Sequence, residues 1–242
     1  MSAASEMSLV ELVPIVNMFL ENRTNVSRTR AQLKHPHATT GMVAASDGMT
    51  YIRVRNRCVQ PIENTVNSVL YLKPEPGVLV GGREWIRDTL EPAVRAEFTK
   101  LCDLVKTRQD LFDEQNPNRV YHCPECGAEI IHDPGWQDRL VALDEWKEEN
   151  RPTLRSESGH VLFWRGTHVK LRFRVSDLNR LLRAADALGG AECMYLSNWQ
   201  IRLEGEDWFV VATSHSWGSY HDVLKFEVPE SVESLFEKGG AE

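Results

Sequence analysis

The amino-acid sequence predicts an α+β fold: a zinc-clasped N-terminal part with a β-hairpin and helices, and a C-terminal ββαβββ antiparallel sheet with one helix packed on a face. Three observations carry this. Val169, Leu171, Phe173 and Val175 alternate with Lys170, Arg172 and Arg174, the period-2 pattern of a half-buried strand. Leu178, Leu181, Leu182, Ala185 and Leu188 then recur at helical spacing and make one apolar face. Further upstream, Cys123 and Cys126 stand two residues apart at a glycine-containing turn, a metal-ligand spacing.

The elements follow in order. Met7–Leu20 reads as a helix with a stripe at Leu9, Leu12, Val13, Val16 and Leu20, kinked or split by Pro14. Thr40–Cys58 reads as a hairpin turning at Asp47-Gly48. In its second strand Ile52, Val54 and Cys58 alternate with Arg53, Arg55 and Arg57, so the three arginines form a ladder on one side. Val66–Leu72 is a further strand, ended by a proline- and glycine-rich turn at 73–77. A long helix begins with Thr89 as cap and Pro92 in the first turn, where a missing N–H costs nothing. A strand–turn–strand spans Arg119–His132, and Trp136–Glu149 is a helix.

The polar stretch Glu148–Gly159 marks a boundary. It gives a zinc-knuckle-containing α+β region at residues 1–150, a ββαβββ domain at 158–230 and an acidic tail at 231–242. In the second region Val161–Trp164 and the alternating run from Val169 are strands. Ser176 caps the helix and Gly189-Gly190 stops it. Cys193–Leu203 and Trp208–Thr213 form a hairpin, and Val223–Val228 is the last strand.

Composition bounds the function. A chain of 242 residues with 42% hydrophobic and 26% charged residues buries a core without disulfides. A net charge of −7 argues against wholesale coating of nucleic acid or an anionic membrane. The odd number of cysteines, 5, fits a reducing compartment better than a disulfide framework. The apolar run Leu9–Leu20 is too short and too polar to span a bilayer. The expectation is an intracellular, soluble, cytoplasmic protein with no membrane partner. Charge is uneven: Arg23, Arg28, Arg30, Lys34, Arg53, Arg55 and Arg57 face the single acid Asp47, whereas Glu204 to Glu242 is mostly acidic. A basic front and an acidic tail can attract each other between copies, so self-association is one expectation.

The segment Val120-Tyr-His-Cys-Pro-Glu-Cys-Gly-Ala-Glu-Ile130 is the sharpest motif. Two thiolates separated by two residues at a tight turn point into one volume, and Gly127 permits the turn. Over this dozen residues the sequence resembles the zinc knuckle of zinc-ribbon and rubredoxin-like proteins. The resemblance implies a structural zinc ion. Those families pair the knuckle with a second Cys-x-x-Cys, which this chain lacks, so other residues must complete the four ligands. His35-Pro36-His37 is the first candidate, because an i,i+2 pair in an extended chain projects from one face. Cys58 and Cys102 are the rival pair. A redox role for Cys123 and Cys126 fits less well, since that chemistry places the pair at a helix N-terminus.

No residues form a named catalytic set. The leading expectation is a non-enzymatic, zinc-stabilised module engaging a protein or nucleic-acid partner. The arginine-bearing strands (Arg53, Arg55 and Arg57, then Lys170, Arg172 and Arg174) would carry the contact, helped by Trp217 and Tyr220 in the Ser214–Asp222 loop. One alternative is a metal-dependent hydrolase using His35, His37 and the His215/His221 loop. Another is a structural subunit of a larger assembly.

Overall fold

A computed structural model describes residues 3–20, 32–61, 74–114, 121–122, 129–130, 159–165, 169–214 and 222–232. The chain opens with helix α1 (Ala3–Glu6) and helix α2 (Leu9–Asn17). Ser8 and Glu11 form a reciprocal capping box: the Ser8 N–H donates to the Glu11 carboxylate at 3.0 Å, and the Glu11 N–H donates to Ser8 Oγ at 3.4 Å. Helix α2 runs through Pro14 without splitting.

Strands β1 (His37–Thr39), β2 (Met42–Ser46) and β3 (Thr50–Arg55) form an antiparallel meander. The expected Asp47-Gly48 turn is there but longer than two residues, since Ser46 pairs with Tyr51. Asp47 Oδ1 accepts from the Met49 N–H at 2.9 Å and the Thr50 N–H at 2.7 Å, which gathers the loop. Gly48 supplies the positive φ of 90° that the loop requires.

Strand β4 (Val78–Gly82) leads directly into a one-turn helix α3 (Arg83–Trp85), a π turn (Ile86–Leu90) and the long helix α4 (Glu91–Glu114). Thr89 therefore sits inside the π turn and does not cap the helix. The helical path starts earlier because Trp85, Ile86 and Leu90 pack against the core before Val94 does. Two-residue strands β5 (Tyr121–His122) and β6 (Glu129–Ile130) pair with each other. The expected strand at Val66–Leu72 and helix at Trp136–Glu149 lie outside the described residues.

Strands β7 (His160–Arg165) and β8 (Val169–Arg174) form a hairpin followed by helix α5 (Val175–Ala187). The cap position falls on Arg174, which makes no side-chain cap bond, and Ser176 lies within the first turn. Gly189 and Gly190, with φ of 98° and 89°, end the helix as expected. The expected long strand 193–203 is two strands, β9 (Cys193–Leu196) and β10 (Gln200–Gly205). Between them Ser197 N–H donates to the Gln200 carbonyl at 2.9 Å, and Ser197 Oγ accepts from the Gln200 N–H at 3.2 Å. Strands β11 (Trp208–Thr213) and β12 (Asp222–Glu227) are the last strands among the described residues.

The large sheet is antiparallel throughout, in the order β1-β2-β3-β11-β10-β9-β4. Strands β3 and β4 precede the expected boundary near residue 150, and β11 and β9 follow it, yet they pair edge to edge. The described parts of both regions share one sheet and one apolar core. Three further strands form a second sheet, ordered β12-β7-β8, in which β12 runs parallel to β7. The C-terminal strands therefore do not make the single antiparallel ββαβββ sheet. Phe163 ties the three strands together: it stacks on Phe226 of β12 at 5.6 Å and meets Phe173 of β8 edge-on at 5.8 Å.

Helix α5 packs on the large sheet and also against β8 and α4. Val175, Leu178, Leu181, Leu182 and Ala185 make the expected apolar face, and the burial of Asp177, Asn179 and Ala184 widens it, as a helix covered on more than one side requires. Arg180 reaches across to Asp47 and donates to Thr50 Oγ1 at 2.9 Å, fastening the helix to the β2–β3 loop. Among the described residues no helix is long and apolar enough to cross a membrane.

Candidate partner-binding site

Strand β3 alternates between two faces. Ile52 and Val54 point into the core and are fully buried, while Tyr51, Arg53 and Arg55 point to the opposite face of the sheet. On that face the register sets two rows across the strands. One row is Leu79, Tyr195, Arg202, Val211 and Tyr51; the next is Cys193, Glu204, Phe209, Arg53 and Ala44. Guanidinium groups lie over aromatic rings in both, Arg202 4.6 Å from the centre of Tyr195 and Arg53 5.8 Å from that of Phe209. Partial burial, then Cys193 and Glu204, push the Tyr195 phenol up to about 12, so it stays protonated near neutral pH. Burial also raises Tyr51, opposed by the charge of Arg53.

The first expected ladder bends at its end. Strand β3 stops at Arg55, and Arg57 lies in the following turn. Asn56 causes this. Its buried side chain donates to the carbonyls of Ala4 and Met7 at 2.8 Å each and accepts from the Cys58 N–H at 2.9 Å. The Arg57 N–H donates to the Ser5 carbonyl at 3.3 Å. Arg53 and Arg55 line a depression of about 240 Å³ with Glu204, Glu206, Asp207 and Phe209. Arg55 and Arg57 line a second of about 280 Å³ with Ser5, Gly41, Glu206 and Asp207. The two share Arg55 and the β10–β11 turn, so the three arginines border one trough. Its acids and Phe209 come from the β10–β11 hairpin, whose pairing with β3 no local pattern revealed.

Ion pairing separates these arginines from several others. Arg172, Arg180 and Arg202 pair with Asp222, Asp47 and Glu204. Arg53, Arg55 and Arg57 form no ion pair with a described residue; Arg53 Nε instead meets Met42 Sδ at 2.9 Å. In the second expected ladder Lys170 is exposed, but Arg172 forks onto Asp222 at 2.8 and 3.1 Å, bridging β8 to β12 across β7. Arg174 stands at the start of α5. That ladder serves the small sheet as much as any partner.

Another cleft, between the π turn and the end of α5, holds Arg83, Arg87, Glu91 and Asp186. Arg95 bridges Glu91 and Asp186, and burial together with Asp186 raises the Glu91 carboxyl against the pull of Arg95. Its charges are already matched internally.

Cys123 and Cys126 lie outside the described residues. The pairs Tyr121–Ile130 and His122–Glu129 flank residues 123–128, so the expected strand–turn–strand around the motif has its two strands. His37 lies half-buried on β1 at the sheet's edge and His35 is exposed just before it. Cys58 and Cys102 are both exposed. Among the described residues, no three His, Cys, Asp or Glu side chains gather where they could hold a metal ion. Trp217, Tyr220, His215 and His221 lie outside the described residues. Comparison of the chain with protein-family models, curated proteins and solved structures finds no match, so its function has to be argued from the geometry of this site.

Proposed function

We propose that the chain is a non-enzymatic binding module, stabilised by zinc at Cys123 and Cys126, that engages a protein partner through Arg53, Arg55 and Arg57. The observation that supports this reading is three guanidinium groups around one trough that form no ion pair with a described residue, whereas Arg165, Arg172 and Arg202 of the other strands are paired. Arginine of this kind is enriched at protein interfaces, where its planar fork binds carboxylates.

The trough favours protein over nucleic acid. Glu206 and Asp207 stand in both depressions beside Arg55. A phosphate backbone meets repulsion there, whereas a peptide carrying carboxylates and an amine matches both signs. The net charge of −7 works in the same direction.

The test compares two fluorescent probes by anisotropy, a ten-residue glutamate-rich peptide that also carries two lysines, so that it offers both signs of charge, and a single-stranded 20-mer of thymidine. The peptide is expected to bind, weakening modestly as salt rises. The oligonucleotide is expected to bind more weakly than the peptide at every salt concentration. Tighter binding of the oligonucleotide, with a steep salt dependence, contradicts the protein-partner reading.

A further inference from the structure

Arg53 is held from two sides. Its direct neighbour across the β2–β3 pair is Ala44, which is too short to engage a guanidinium. The side chain leans instead toward Met42, two residues along β2 on the same face, and its Nε–H donates to Met42 Sδ at 2.9 Å. On the β11 side the guanidinium lies 5.8 Å from the centre of the Phe209 ring. Met42 is itself paired directly with Arg55. One thioether therefore stands beside two of the three arginines of the proposed partner site.

A thioether is a weak acceptor for a guanidinium, and it is oxidisable. Met42 is half-buried at the start of β2, next to Gly41 in the wall of the trough. Met194, by contrast, is wholly buried in the core, and Met7 and Met18 pack against that core. The sulfur carries two lone pairs, and the Arg53 N–H meets one of them. Transfer of an oxygen atom to the other gives a sulfoxide, whose polar oxygen is a far stronger acceptor than the sulfur it replaces.

We propose that Met42 is a peroxide-sensitive modification site whose sulfoxide captures Arg53 and withdraws it from the partner. A sulfur lone pair attacks one oxygen of hydrogen peroxide, and the O–O bond breaks. The proton on the transferred oxygen passes to the departing hydroxide, so water leaves. Sulfur is oxidised by two electrons and the peroxide is reduced. The new oxygen accepts from the Arg53 guanidinium, which then directs its donors within the chain and away from a partner's carboxylate. Sulfoxide reductases restore the thioether, so the change is reversible. The effect on binding rests on the reading of Arg53, Arg55 and Arg57 as partner contacts; the oxidation and the capture of Arg53 do not.

Mild hydrogen peroxide treatment of the full chain tests it, with three readouts. Peptide mass spectrometry is expected to find one added oxygen on Met42 well before Met194. In the isotope-labelled chain the Arg53 Nε–H resonance is expected to move to lower field. Affinity for the glutamate-rich peptide with two lysines is expected to weaken roughly threefold to tenfold, about the worth of one hydrogen bond. Treatment with two sulfoxide reductases, one for each epimer, is expected to reverse both changes. Met42→Leu keeps the size of the side chain and removes the sulfur, so peroxide is expected to move neither its Arg53 resonance nor its affinity. Oxidation of Met42 no sooner than Met194, or an Arg53 resonance that ignores the sulfoxide, overturns the proposal. So does an equal loss of affinity in peroxide-treated Met42→Leu, or unchanged affinity in an oxidised chain that binds the peptide. Failure of the untreated chain to bind the peptide is a separate result: it removes the partner reading and the effect on binding, while a sulfoxide at Met42 that moves Arg53 keeps the modification site.

Discussion

Cys123→Ser is expected to strip zinc from the chain and produce the largest loss of local stability of any single substitution. Residues 123–128 are held between strands of only two residues each, Tyr121–His122 and Glu129–Ile130. Two cross-strand pairs cannot sustain a hairpin in water. A structural zinc ion contributes on the order of 10 kcal/mol to such a unit, because binding and folding are one process. Elemental analysis is expected to give one zinc per chain in the wild type and none in Cys123→Ser, with a lower melting temperature. His35→Ala/His37→Ala then decides the remaining ligands. Loss of zinc in that double variant ties β1 to the Cys123–Cys126 turn, and retention hands the ligands to Cys58, Cys102 or a partner chain. A wild type without zinc, or a serine variant with unchanged metal and melting, removes the zinc from the proposal.

The second large effect belongs to Asn56. This side chain is 1% exposed and makes three bonds to the backbone: to the carbonyls of Ala4 and Met7 and from the Cys58 N–H. It joins α1 and the start of α2 to the end of β3 and turns the chain between Arg55 and Arg57. Asn56→Ala leaves those backbone groups without their partner, at about 1–3 kcal/mol for each that stays dry. A total near 4 kcal/mol lowers the melting temperature by roughly 10 °C in a chain of this size. Hydrogen exchange is expected to accelerate across residues 3–20 first. Asn56→Asp keeps the acceptor for Cys58 but turns a carboxylate toward two carbonyl oxygens, so it is expected to be at least as damaging. A tolerated Asn56→Asp shows that the Cys58 bond alone holds the turn.

Local chemistry made much of this fold legible, and long-range pairing accounts for what was not. The helix at α5, its glycine stop, the Asp47-Gly48 loop and the strands of the β7–β8 hairpin follow from side-chain period and turn residues. The meeting of β3 with β11 and of β4 with β9 crosses the polar stretch near residue 150, and nothing in either strand's sequence names its partner. The same blindness hid the trough. Arg53, Arg55 and Arg57 stood out as a row, but Glu206, Asp207 and Phe209 join them only through the sheet. The fate of the two cationic rows was equally hidden. Both show the same alternation, yet Arg172 is occupied by Asp222 from a strand some fifty residues later, while the first row has no described carboxylate partner. The start of the long helix was misplaced because Thr89 and Pro92 make a plausible first turn, and only the packing of Trp85 and Ile86 shows that the helical path begins before it.

The most direct test of the proposed function is the affinity of Arg55→Glu/Arg57→Glu for the glutamate-rich peptide, measured beside its melting temperature. Neither arginine forms an ion pair with a described residue, and both are exposed, so melting is expected to stay within a few degrees of wild type. Two charge-assisted contacts at about 1.5–3 kcal/mol each correspond to a loss of at least roughly 100-fold in affinity. A loss of that size with unchanged melting is the result expected of a partner site. Undiminished binding, or a loss that simply follows a collapse in melting temperature, contradicts it.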